Sequence, residues 1–226
     1  MPYHVDLAME VLLGEFSGIS LQKVVKALDK AYEASIPNLQ ELFPLGKTSV
    51  VFDSSGSMST PILLKDKKRG RAGALDKAAL IAATLAKGLC ADVYTFADSC
   101  HSLSYNPIDS VNTIKNNFIS NCHAGGGTRW SSIFPELEKK GNYIRVFIMS
   151  DEQNSDSVEA SYKDYCNKFG TPHVYVINLC GYGPTAIKQS TRVHKIYGYH
   201  AGIFETAKQV EIDPEAIIKE INEIVI

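Results

Sequence analysis

From Lys47 onward the chain alternates short apolar runs with segments whose apolar residues recur at helical spacing, and this alternation leaves few folds open. Residues 48–53 read as a strand. Residues 72–89, with Leu75, Ala79, Ala82 and Leu85, read as a helix. A second strand is expected at 92–97, with residues 99–103 returning as a short antiparallel edge. Helices follow at 109–120, through Val111, Ile114 and Phe118, and at 130–140. Residues 143–150 form the strongest strand signal and stop at Asp151. A helix at 158–169, strands at 173–179 and 193–199, and a closing helix begun by Asp213 and Pro214 complete the pattern. Strands separated by helices predict a Rossmann-like α/β fold, a doubly wound and mostly parallel sheet covered on both faces.

The first 46 residues read differently. Leu7, Val11 and Leu12, then Leu21, Val24, Val25, Leu28 and Ala31, fall at helical spacing, and Ser20 suits the cap of the second helix. Pro37, Pro44 and Gly46 mark residues 37–46 as a linker. The expected organisation is a helical extension with linker over 1–46 and an α/β domain over 47–226. Two short helices cannot bury a core alone, so their apolar faces must pack on the domain or on a partner.

Bulk properties exclude several classes. Apolar content of 45% and charged content of 21% are those of a globular chain with a buried core. No apolar run approaches the roughly 20 residues that span a bilayer. The N-terminus lacks a basic region followed by an apolar core, so no membrane partner and a cytoplasmic setting are expected. The five cysteines include no C-x-x-C spacing and read as reduced thiols. Cys100-His101 and Cys122-His123 are adjacent pairs, whereas structural zinc uses ligands two to four residues apart. A net charge of −2 gives no global field for nucleic acid. Lys65, Lys67, Lys68, Arg69 and Arg71 nevertheless form a local basic cluster, either a solvated loop or a rim that steers an acidic partner.

Three segments carry oxygen ligands where such sheets bind ligands, beyond the carboxyl ends of the strands. The first strand runs into Asp53-Ser54-Ser55-Gly56-Ser57, whose alternate oxygens (Asp53, Ser55, Ser57) a tight turn can aim at one point. The strongest strand ends in Ser150-Asp151-Glu152. Between them Gly125-Gly126-Gly127 lets the backbone bring Thr128 close to a neighbour. Hard divalent cations take oxygen ligands, and Mg²⁺ wants about six near 2.1 Å.

This combination resembles the von Willebrand factor A fold with its metal-ion-dependent adhesion site, over about residues 47–226. The resemblance implies Asp53, Ser55, Ser57, Thr128 and Asp151 as ligands of Mg²⁺, Mn²⁺ or Ca²⁺. It also implies that one exchangeable position takes a carboxylate from a protein partner, with Ser54 beside the site and Glu152, Gln153 and Asn154 on its rim. The helix containing Val25-Lys26-Ala27-Leu28-Asp29-Lys30-Ala31, the Pro-rich joint, residues 124–128 and Phe147-Ile148-Met149-Ser150-Asp151-Glu152 are similar to the C-terminal part of the Ro autoantigen (TROVE) family. That resemblance implies a part in a Ro-like ribonucleoprotein, with a helical-repeat protein or a noncoding RNA complex as partner. Members of the family bind RNA through a helical ring that this sequence does not contain.

Catalysis is the weaker reading. A haloacid-dehalogenase-like phosphatase would place a second Asp where Ser55 stands, and a hydrolase Ser would want G-x-S-x-G. His194 and His200 read as core or surface residues. Direct RNA binding would draw on the basic cluster, His101 and Arg129, but no aromatic residues interleave the basic loop for stacking. The expectation is a binding module rather than an enzyme.

Overall fold

A computed structural model of the chain describes residues 2–12, 18–43, 45–59, 61–63, 69–181 and 185–213. Side chains are described throughout these except at 2, 18–21, 61–63 and 69–72. Lys65, Lys67 and Lys68 of the basic cluster, the side chains of Arg69 and Arg71, and the closing helix expected after Pro214 therefore lie outside the description.

Two helices, α1 (Pro2–Leu12) and α2 (Gly18–Leu42), precede the first strand, β1 (Thr48–Asp53). A small hairpin of β2 (Pro61–Leu63) and β3 (Arg69–Gly73), not foreseen from the sequence, leads into α3 (Ala74–Leu89). Then come β4 (Asp92–Phe96), β5 (Cys100–Leu103), α4 (Val111–Asn121), α5 (Ile133–Glu138), β6 (Arg145–Ser150), α6 (Glu159–Phe169), β7 (His173–Asn178), β8 (Val193–Tyr197) and α7 (Ile203–Ile212). Six strands make one sheet in the order β5-β4-β1-β6-β7-β8. Every pair is parallel except β4 with the edge strand β5.

Side-chain alternation in the strands builds two cores. On one face Val50, Phe52, Phe147, Met149, Tyr175 and Ile177 pack with residues of α2, α3, α4 and α7. On the other, Val51, Tyr94, Val146, Ile148, Val174 and Val176 pack with Trp130, Phe134, Leu137 and Tyr165 of the α5 and α6 layer. The fold is thus the expected α/β, doubly wound and mostly parallel, with helices at its N-terminal end. Strand order reverses around β1, which has β4 on one side and β6 on the other. Sheets of this topology bind ligands at such a reversal, here beyond the carboxyl ends of β1 and β6.

Two local readings are corrected. Residues 37–42 are not linker: α2 continues through Pro37 to Leu42. Tyr32, Ile36, Leu39 and Phe43 are all buried, so one apolar stripe carries the helix past a residue that usually ends it. Ser20 lies inside α2 rather than at its cap. A further helix that the sequence did not predict, α7, ends at Ile212, and Asp213 is the residue following its last turn.

The helical extension is joined to the α/β domain through its packing. Leu39 sits so close to α3 that a Cβ on Gly88 would meet its Cδ1 at 2.7 Å. Phe43 meets Phe147 of the central sheet edge-on, ring centroids 5.6 Å apart.

Candidate metal centre

The first loop is organised by its own aspartate. Asp53 is fully buried at the end of β1; its Oδ1 accepts the Ser55 amide at 2.8 Å, closing a turn directly after the strand. A 3₁₀ turn, Gly56–Ser59, follows with Met58 buried beneath it. The Ser55 and Ser57 hydroxyls come to 3.2 Å from each other. Ser54, between Asp53 and Ser55 in sequence, turns the opposite way. Its hydroxyl lies 3.2 Å from the Phe96 carbonyl and 3.1 Å from that of Cys122, and accepts from Thr95 Oγ1 at 3.0 Å. Ser54 therefore anchors the loop to its neighbours, while the odd-numbered oxygens stay together.

The glycine-rich loop lies directly on the first. The Gly125 amide donates to the Ser54 carbonyl at 2.8 Å, and the Gly56 amide to Gly126 O at 3.3 Å. Gly126 has φ +79°, and a Cβ there would stand 2.2 Å from Asp98 Oδ2. A side chain here would be strained in this conformation and would have to push the Asp98 carboxylate aside. The Gly127 amide donates to Asp98 Oδ1 at 2.9 Å. The chain then delivers Thr128, which is buried. From the other side, both the amide and the hydroxyl of Ser155 donate to the Thr128 carbonyl, at 3.0 and 2.8 Å. Asp156 accepts the amides of Trp130 and Ser131, fixing the next turn.

The third loop joins the first through β-sheet register. Phe52 pairs with Met149, so Asp53 stands beside Ser150, and Ser150 Oγ donates to Asp53 Oδ2 at 2.6 Å. Asp151, the next residue, is fully buried. Its Oδ1 accepts the Gln153 amide at 3.0 Å, while its Oδ2 is buried with no hydrogen-bond partner among the described residues. Burial pushes the Asp53 carboxyl up to about 6; hydrogen bonds from Ser150 and Ser55 oppose this, and the negative charge of Asp151 adds to it.

Backbone contacts thus bring the three loops carrying Asp53, Ser55, Ser57, Thr128 and Asp151 to one edge of the sheet. Two buried carboxylates approach each other there, with hydroxyls beside them and, among the described residues, no cationic side chain bonded to either. An orphaned carboxylate oxygen beside a second acid is the environment that a hard cation fits, and the oxygen-only donor set matches it. Zinc is poorly served: Cys100 packs in one core and Cys122 in the other, on opposite faces of the sheet. No cysteine is disulfide-bonded. Among the described residues, no three His, Cys, Asp or Glu side chains gather as a metal-holding group.

Glu152 departs from its expected place on the rim. It is buried and ion-paired to Lys195 of β8, because Asn178 and the Ala186 amide also turn its carboxylate inward. Gln153 is exposed and Asn154 half-buried. The supporting residues Asp98, Ser150, Ser155 and Asp156 escaped sequence reasoning. Only Ser150 had a signal, its position just before the acid that ends a strand. His194 is buried and stacks on Tyr175, ring centroids 5.4 Å apart, whereas His200 is exposed.

No known protein family matches the sequence, and no curated protein matches it. Solved structures do share its fold. The Ro (RSR) protein of Deinococcus radiodurans superposes with a TM-score of 0.70 at 16% identity, over 92% of this chain and 44% of that one. The chain therefore spans less than half the length of that structure. An aerotolerance-related membrane protein from Bacteroides fragilis gives a TM-score of 0.45 at 15% identity, over 75% of this chain and 98% of its own. Among the described residues, no helix is long and apolar enough to cross a membrane.

Proposed function

We propose that the chain is a metal-dependent protein-binding module of the von Willebrand factor A type, acting as one part of a Ro-like ribonucleoprotein. The observation that carries the reading is the pair of buried acids, Asp53 and Asp151, with Asp151 Oδ2 left without a partner among the described residues. Asp53 and Asp151 would supply the negative charge of the site, and Ser55, Ser57 and Thr128 neutral oxygens. Mg²⁺ (or Mn²⁺ or Ca²⁺), when bound, supplies a Lewis-acidic position that an outside carboxylate can occupy. Two acids and three hydroxyls neutralise a divalent cation only by charge and complete only part of its shell. An Asp or Glu from a protein partner would fill the rest, in a crevice where attraction between opposite charges is little screened. The superposition on the Ro (RSR) protein supports the Ro-like part of the reading through the fold it shares. RNA contact through residues 65–71 is the alternative, and a hydrolase is not favoured by any contact at the site.

The test is capture of acidic peptides on the immobilised full chain. Mg²⁺ should permit capture, and EDTA should abolish it. Capture that is indifferent to EDTA, or RNA retained equally in EDTA, would overturn the metal-dependent reading.

Protons should compete with the cation at Asp53. Its folded pKa of about 6 lies above the ordinary aspartate value of about 3.9. Without metal, Asp53 therefore contributes stability that is full below about pH 4 and is lost as the pH rises through about 6. Mg²⁺ affinity should move oppositely, being roughly tenfold weaker at pH 5 than at pH 7 and level above that. Calorimetry at the two pH values checks this, alongside unfolding in EDTA.

A further inference from the structure

We propose that Glu152, with Lys195 as its charge partner, is the positioning residue that sets the third loop of the metal centre; the inference rests on the metal-binding reading above. Glu152 follows Asp151 directly and adopts φ +58°, a left-handed conformation that a residue with a side chain seldom takes. Its carboxylate is held by three groups from later in the chain. Lys195 of β8 bonds to Oε1, Asn178 at the end of β7 donates to Oε2 at 3.0 Å, and the Ala186 amide donates to Oε1 at 3.3 Å. Asn178 is itself held in place, since its Oδ1 accepts the amides of Cys180 and Gly181 at 3.2 and 2.8 Å.

The backbone of the same residue reaches the metal centre. The Glu152 amide donates to Ser150 Oγ at 2.9 Å, and that hydroxyl donates onward to Asp53 Oδ2. The left-handed turn also returns the Gln153 amide to Asp151 Oδ1, so that Oδ2 is the oxygen without a partner among the described residues. Both acids of the site are thus oriented through the residue whose side chain the Lys195 pair secures. Stability alone does not call for this arrangement. A buried ion pair can often be exchanged for apolar residues without loss, and glycine would adopt the turn freely. Two costly features in one residue, bonded to Asp151, point instead to geometry at the site.

The decisive variant is Glu152→Gly with Lys195→Met in the full chain. It preserves net charge, suits the turn and leaves no buried charge unpaired, while taking the acceptor from the Asn178 side chain and the Ala186 amide. Glu152→Gln with Lys195→Met is its milder companion, retaining the shape of the side chain. Three quantities are read: Mg²⁺ affinity by calorimetry, thermal unfolding in EDTA, and amide exchange at residues 151–153 in EDTA. Both variants should unfold within a few degrees of the parent. The glycine variant should bind Mg²⁺ at least tenfold more weakly and exchange faster at 151–153, with the glutamine variant intermediate. A folded glycine variant with parental affinity and exchange would overturn the proposal; if only the glutamine variant folds, parental values in it do the same. A parent chain that binds no Mg²⁺ would remove the site itself, an outcome distinct from a parent and variant that bind equally.

Discussion

A chain shortened to residues 47–226 is expected to lose the cooperative unfolding transition of the full chain, because the excised helices complete the core. The sharpest consequence falls on Lys77 of α3, whose side chain is only 1% exposed and whose ammonium bonds to Asp6 and Glu10 of α1. Burial pushes its pKa down, yet the two acids outweigh this and hold it above the ordinary lysine value. Asp6 also accepts the Tyr199 hydroxyl at 2.8 Å, so α1 clamps both α3 and the segment after β8. Leaving one partner of such a pair buried alone costs about 3–5 kcal/mol. The loss of Tyr32, Ile36, Leu39 and Phe43 from the core adds on the order of 6–12 kcal/mol at the usual value for a buried apolar side chain. Whole domains are stable by only about 5–15 kcal/mol. Asp6→Asn with Glu10→Gln isolates the charge effect and should lower the melting temperature by about 10 °C. Adding Lys77→Met should recover most of it. A shortened chain that unfolds cooperatively at the parental temperature would show that the helices are a tail.

This coupling was half legible in the sequence. Apolar spacing in the first 46 residues showed that the helices needed cover. It did not show that Lys77, in a helix read as rich in Ala, Leu and Lys, would be buried against them. Ion pairs between residues some seventy positions apart leave no local trace. Pro37 misled for the opposite reason, since a strong local signal was overridden by the stripe of Tyr32, Ile36, Leu39 and Phe43. The strands were clearer because β1, β6 and β7 are buried on both faces and so read as unbroken apolar runs. At the site, the candidate ligands stand out as polar residues where apolar runs stop. Glu152 was misplaced because nothing in Ser-Asp-Glu says which acid turns inward. That choice is made by Lys195, Asn178 and Ala186, contributed by later segments.

Replacing Asp53 by alanine should separate the metal from the fold. Mg²⁺ affinity is expected to fall at least a hundredfold, about 2.7 kcal/mol, because one of the two acids facing the crevice is gone. The metal-free protein should be as stable as the parent at pH 7, since burial already pushes this carboxyl up to about 6 and its ionised form is unwelcome there. The loop does not depend on Asp53 alone for its position: Ser54 remains tied to Phe96, Cys122 and Thr95, and the Gly125 amide still reaches the Ser54 carbonyl. Asp53→Asn should keep the Ser55 turn and lose the metal as well, which would assign the effect to charge rather than to shape. Calorimetry in both variants, with melting temperatures taken in EDTA, separates the possibilities. Unaltered Mg²⁺ affinity in folded Asp53→Ala would mean that the two buried acids serve the sheet, and that the vacant oxygen of Asp151 answers to something other than a cation.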